Sequence, residues 1–324
     1  MKKRYAVTGL VSLLLLVILL GPKVDTTISL DNISLPDDLD LYLIDSESQF
    51  DDITKGTEKK IIWALESKEK TPISIVSFHG FSATRQELSP LADIIAKTLD
   101  ANLFYTRLAG HGRGSSGMID GSVNKWANDA NQALEIGRRI GEKVVLIGTS
   151  TGSTLATWLA LQANHKDIAA LILMSPNYYS KEPLSKLSLL PWGRLITEAM
   201  IGKERHWEPK HPLHELYWAN DYPTAALLPM FGLVDIVDKA DLTAIRSPLL
   251  MIYSSQDKVI SVASLKDTFQ RLGSTEKKIM EFNDTQDPDF HALAGDLLSP
   301  SSTEYLAEQI VSFISHTLGG YQPL

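Results

Sequence analysis

The sequence predicts an α/β fold: a mostly parallel central sheet covered by helices on both faces, with an inserted cap. Three observations carry that expectation. Residues 73–78, 144–147, 168–174 and 248–253 are short runs, apolar enough and β-branched enough to be strands buried on both faces. Stretches of helical period separate them, and alternation of the two implies parallel strands joined by crossover helices. Between the strands at 174 and 248 the rhythm breaks for residues 177–246, a segment with many prolines and with Trp192, Trp207 and Trp218. A linker would be poor in aromatics, so this segment is read as the cap.

In chain order, Lys2, Lys3 and Arg4 precede an apolar run over residues 5–20, closed by Gly21-Pro22. Its length lies between the core of a cleaved signal and a comfortable membrane span. Leu19-Leu20-Gly21-Pro22 is a poor cleavage site, so residues 1–22 are read as a membrane anchor, with a cleaved export signal as the alternative. Basic residues before the run and Asp25, Asp31, Asp37, Asp38 and Asp40 after it put the domain on the extracytoplasmic side, periplasmic or external. Residues 23–58 read as an acidic tether with one short strand or helix, and residues 59–324 as the main domain, with the cap at 177–246 inserted in it. Further strands are expected over 59–65, 102–106 and 278–282. Helices are expected over 86–99, 124–140, 155–163, 262–272 and 303–317.

Composition narrows the function. Of 324 residues 44% are hydrophobic, enough for a large core, and the net charge of −8 argues against a nucleic-acid partner. No cysteine is present, which removes disulfides, thiolate metal sites and lipidation at an N-terminal cysteine. No ligand spacing for zinc is seen, and Gly110 to Gly114 lacks the Lys-Ser/Thr of a phosphate-cradling loop. No metal or organic cofactor is implied.

The chemistry gathers at Gly148-Thr149-Ser150-Thr151-Gly152, the Gly-x-Ser-x-Gly spacing in which a serine sits on a tight turn from strand to helix. Small flanking residues let strand and helix nearly touch, and the hydroxyl is pushed out at the end of the sheet. A serine nucleophile needs a base, and the base needs an orienting acid, both from loops after later strands. Of the two histidines beyond the elbow strand's successors, His316 lies within the terminal helical pattern and reads as solvated, whereas His291 lies in a loop after the last strand. For the acid, Asp257 is the only carboxylate in the loop after residue 253. Asp287 and Asp289 share the base's own loop and are read as solvating it.

Serine, acid, histidine is the order found in α/β-hydrolases. With His79-Gly80-Phe81 after an early strand, Gly110-His111-Gly112 after the next, and a cap before Asp257 and His291, residues 59–317 resemble that family. The nearest likeness is to its monoglyceride-lipase and carboxylesterase group, often catalogued with serine aminopeptidases. The resemblance implies a hydrolase of small-molecule carboxylic esters working through an acyl-serine, with the backbone N–H groups of Phe81 and Thr151 as oxyanion hole. His79 and His111 are expected to brace loops by bonding to backbone. The apolar cap is expected to wall the substrate pocket, with Leu189, Leu190 and Trp192 as candidate lining. An acyltransferase, thioesterase or aminopeptidase on the same fold remains open, as does a non-catalytic membrane-anchored binding protein. An aminopeptidase would want an acidic cap pocket, for which Glu182, Glu198, Glu204, Glu208 and Glu215 are available. Oligomeric state is not fixed by the sequence.

Overall fold

The computed structural model describes residue 5 and residues 20–162, 168–181 and 184–319. The expected membrane anchor lies outside the described residues except at its two ends. Among the described residues no helix is long and apolar enough to cross a membrane.

Seven strands form one sheet: β1 (Lys60–Ile62), β2 (Thr71–Phe78), β3 (Asn102–Tyr105), β4 (Gly141–Thr149), β5 (Ile168–Met174), β8 (Leu249–Tyr253) and β9 (Lys277–Glu281). Their spatial order is β1-β3-β2-β4-β5-β8-β9. Only β1 is antiparallel, pairing Ile61 with Phe104 at the edge; the remaining ladders run parallel, with Ile75 opposite Val145 and Ile147 opposite Ile172. The short pair β6 (Glu204–His206) and β7 (Asp221–Pro223) lies apart, in the cap.

Successive side chains of a strand point to opposite faces, and this divides the core in two. Val144 and Leu146 face a layer containing Trp126, Ala130 and Leu134 of α3 (Val123–Ile140), Leu155 and Leu159 of α4 (Thr151–Ala160), and Leu265 of α9 (Val262–Arg271). Val145 and Ile147 face Leu91 and Ile95 of α2 (Leu91–Thr98) and Leu306, Ile310 and Ile314 of α10 (Pro300–Thr317). Helix α3 starts where the Ser122 side chain accepts from Lys125 N–H, a serine N-cap. Helix α2 is shorter than its apolar pattern suggested. Pro90 disfavours helical backbone at the residue before it, so Arg85–Glu87 forms a separate turn.

The stretch read as a tether contains α1 (Leu39–Glu47), whose Leu39 and Leu43 are buried in the main core. Glu47 accepts two bonds from the buried Arg107 guanidinium, at 2.7 and 2.8 Å. Upstream, Ser29 and Asp31 donate backbone N–H to Asn124 and Asn128 of α3. Residues 29–47 are thus stitched to the body rather than held away from it.

The cap carries α5 (Leu184–Ser188), α6 (Gly193–Ile201), α7 (Pro212–Tyr217) and α8 (Leu227–Lys239) besides its strand pair. Helix α8 is core as much as cover: Leu233 and Val237 are buried in the layer formed by α3 and α4. From β2 the chain crosses to β3 on one side and returns to β4 on the other. The switch point therefore lies between β2 and β4, and the crevice at their carboxyl ends is where an α/β sheet offers a ligand site.

Candidate active site

Strand β4 ends at Thr149 and α4 begins at Thr151, with Ser150 alone between them at φ 51°, ψ −119°. A positive φ is strained for serine and persists only where the surroundings over-determine it. They do here. Ser150 N–H donates to Met174 C=O, and Ser150 C=O accepts from Ser153, Thr154 and Asn177 N–H. The flanking glycines are required by contact, since a Cβ on Gly148 would lie 2.6 Å from Gly152 backbone, and one on Gly152 would lie 2.3 Å from Phe78 O. Thr151 is the first residue of α4, so its N–H belongs to the helix start, where no intrahelical carbonyl is available.

The loop after β2 approaches the same corner. A methyl on Gly80 would sit 3.2 Å from Ser150 Cβ and 3.1 Å from both carboxylate oxygens of Glu87. Gly80 N–H donates to Glu87 at 2.6 Å, which fixes the peptide just before Phe81. The Phe81 ring meets Tyr222 edge-on at 5.5 Å and also packs against His111 and Trp126. His79 and His111 brace loops as expected. His79 accepts from Leu108 N–H through Nε2, which leaves Nδ1–H to donate to Gly80 C=O at 2.9 Å. Burial lowers its pKa to about 4 and lowers that of His111 well below its ordinary value, so both rings are neutral.

His291 and Asp257 come together. Asp257, from the loop after β8, accepts His291 Nδ1–H on one oxygen at 2.7 Å and the N–H groups of Val259 and Ile260 on the other, at 2.7 and 3.0 Å. Burial of the imidazole opposes its charge, but Asp257, with Glu87 and Asp287 behind it, more than offsets this and raises the His291 pKa above its ordinary value. His291 C=O accepts from Ser175 Oγ, next to the Met174 carbonyl that holds Ser150 N–H. With the imidazole's Nδ1–H committed to a carboxylate, Nε2 is left with a lone pair to accept a proton.

Asp287 does not solvate the base; its side chain is only 3% exposed. One oxygen accepts from the backbone N–H of His291 and Ala292, and the other from Asp289 N–H and from Lys210 Nζ of the cap. Burial would raise its pKa, yet the Lys210 ammonium and the backbone donors hold it below the ordinary carboxylate value. His316 sits in the last turn of α10, partly exposed.

Of the candidate lining residues, the structure records cap packing. Leu189 packs on the main core, and Leu190 is 48% exposed. Trp192 donates its N–H to Pro22 C=O and lies against Gly21. The apolar cluster that touches the loop after β2 is a different one, Met118, Ala219, Tyr222 and Ala226 with Trp207, Leu227 and Phe81. Among the described residues no group of three or more His, Asp or Glu side chains is placed to hold a metal ion.

Comparison with known proteins agrees with this geometry. A family model described as serine aminopeptidase, S33, matches residues 70–286. The thermostable monoacylglycerol lipase of Bacillus sp. strain H-257 is 27% identical over 219 residues, 67% of this chain and 83% of that one. Among solved structures, a metagenome-derived lipolytic enzyme superposes with a TM-score of 0.66 at 19% identity, covering 82% of this chain and 99% of its own. A soluble variant of Saccharomyces cerevisiae monoglyceride lipase superposes with a TM-score of 0.61 at 12% identity, covering 80% and 91%. With well over half its length matched by the family model, the chain belongs to the serine aminopeptidase S33 family and is an α/β-hydrolase of the lipase and esterase kind.

Proposed function

We propose that the chain cleaves small-molecule carboxylic esters through an acyl-serine intermediate. Ser150 Oγ attacks the ester carbonyl while His291 Nε2 takes its proton, and the N–H groups of Phe81 and Thr151 receive the developing oxyanion. His291 then returns the proton to the departing alkoxide. Water, deprotonated by the same imidazole, attacks the acyl-serine; the bond to Ser150 Oγ breaks, the imidazolium returns the proton to that oxygen, and the acid is released. Asp257 holds the imidazole in the tautomer that leaves Nε2 free and favours the imidazolium formed in each step. The observation that carries this reading is the 2.7 Å bond between His291 and Asp257 at the corner where Ser150 is strained outward.

Ester rather than aminoacyl amide is favoured by the cap's acids. Glu204, Glu208 and Glu215 are exposed, and Glu198 is paired with Arg194, so they converge on no pocket for a substrate amine; Glu182 lies outside the described residues. Support for membrane attachment comes from the basic and apolar N-terminal residues, with the domain on the extracytoplasmic side or, after cleavage, released. The backbone just past the apolar run is docked on the cap through Trp192 and Pro22.

A fluorophosphonate probe should label the wild type and leave Ser150→Ala unlabelled. Esters of p-nitrophenol should be cleaved, and aminoacyl p-nitroanilides should not. Ser150→Ala and His291→Ala should each lose several orders of magnitude in turnover, with the double variant barely worse, because the two act as one unit. Labelling that survives in Ser150→Ala, or anilide cleavage outrunning ester cleavage, overturns the proposal.

A further inference from the structure

The cap is bonded to both loops that frame Ser150. On the oxyanion side Ala219 N–H donates to Ser82 C=O at 2.8 Å. On the base side His211 Nε2–H donates to Leu297 C=O at 2.6 Å, with its Nδ1 accepting from Leu213 N–H. Between them Lys210 Nζ reaches the buried Asp287 and also Asp289, the latter at 2.8 Å. Asp287 passes this on, because its other oxygen holds the N–H groups of His291 and Ala292 at 3.0 and 2.9 Å. A cap side chain is thereby one carboxylate, itself 77 residues further along the chain, away from the backbone of His291.

We propose that Lys210 and Asp287 are positioning residues for His291: the cap's ammonium fixes the carboxylate that sets where the imidazole stands and how readily it takes a proton. This rests on the assignment of His291 as the base. Two contributions follow. Geometrically, Asp287 caps the turn that delivers His291, and displacement of a reacting group by about 1 Å can cost on the order of a hundredfold in rate. Electrostatically, Asp287 is a negative charge facing the imidazole that Lys210 largely neutralises. The other groups facing His291 are Asp257 and Glu87, both of which favour its charged form. Facing the pair itself are Asp289, His214, whose pKa burial and then Lys210 lower to about 4, and Lys258, whose Nζ donates to Pro288 C=O.

The two variants must therefore move the base in opposite directions. Lys210→Met leaves the Asp287 charge unscreened, so the His291 pKa rises and the rising limb of kcat/KM moves to higher pH. Asp287→Asn removes that charge, so the limb moves to lower pH. Both should lower kcat by about ten- to a hundredfold with little change in KM for a p-nitrophenyl ester, and Lys210→Arg should restore most of the rate. The assay uses the full-length chain, with melting temperature recorded for each variant. Lys210 is partly exposed, so Lys210→Met decides the matter even where Asp287→Asn fails to fold. Unchanged kcat in Lys210→Met, or a loss of rate with the limb unmoved, overturns the proposal. Failure of the His291 assignment is told apart by His291→Ala, which would then retain turnover.

Discussion

Two buried carboxylates flank Ser150, one in each loop that frames it, and their surroundings drive them apart. Glu87, in the loop after β2, accepts from a single backbone N–H, that of Gly80. Burial dominates there and raises its pKa to about 7. Asp287, four residues before His291, accepts from three backbone N–H groups and from Lys210, and its pKa is lowered despite burial. At neutral pH one is poised between forms while the other is fixed as an anion. Burial alone does not decide the charge of a carboxyl group; the number of donors and a cation do.

The histidines show the same rule with the sign reversed. His79 and His111 are buried more deeply than His291; they bond to backbone through both His79 nitrogens and His111 Nδ1, and burial lowers their pKa. His291 meets Asp257, and its pKa is raised. The difference separates the bracing histidines from the one proposed as the base, and it is the contrast most open to attack by mutation. Asp257→Asn should break it most severely, with turnover falling on the order of 10⁴-fold because the amide presents a donor to the wrong tautomer. The variant should stay folded, and Val259 and Ile260 N–H still find the amide oxygen. If Asp287→Asn loses more activity than Asp257→Asn, the orienting acid is misassigned.

A smaller effect is expected at Glu87, where the two obvious substitutions part company. Glu87→Gln keeps an oxygen for Gly80 N–H and removes the charge that forms above about pH 7. That charge favours the His291 imidazolium, so the rising limb of kcat/KM should move to lower pH in this variant. It also opposes a nearby oxyanion, so activity at alkaline pH should rise by up to about tenfold. Glu87→Ala leaves Gly80 N–H buried without its acceptor and should lose activity instead. Equal pH profiles in wild type and Glu87→Gln would show that Glu87 does not feel the site.

What the sequence made legible was local or ordered along the chain. The strained turn at Ser150 is announced by five consecutive residues, and the meeting of His291 with Asp257 by their falling in loops after successive strands. Parallel strands and their helices followed from short apolar runs, with ends displaced by a few residues. What escaped was long-range. Glu87 sits three residues after Thr84, the spacing of a helix capping box, and Thr84 does accept from Gln86 N–H. The carboxylate nevertheless turns to the buried N–H of Gly80, seven residues back. Asp287 looked like a loop acid because its cation lies in the cap. Lining by Leu189, Leu190 and Trp192 was inferred from apolarity alone, which cannot distinguish a pocket wall from cap packing or from a seat for Gly21 and Pro22.

The smallest effect expected is on stability, and it tests the two carboxylates without reference to turnover. Glu87 has a folded pKa of about 7 against an ordinary 4.5. Between those values the folded chain binds more protons at this site than the unfolded chain, so its contribution to stability falls as pH rises across the window. Asp287 behaves oppositely: its folded pKa is lowered from 3.8, so its contribution is present above that value and is lost as pH falls through the lower one. His291, with a raised pKa, adds stability below 6.5 that is lost as pH rises through its folded value, and Glu87→Gln and Asp287→Asn both lower that value. Melting temperatures should therefore show Glu87→Gln gaining on the wild type from about pH 4.5 to 7 and holding level above, by a few degrees. Asp287→Asn should trail at neutral pH and converge with the wild type in acid. Parallel curves for Glu87→Gln and wild type across that window would mean that Glu87 ionises as an ordinary carboxylate, and the contrast between the two loops would fall.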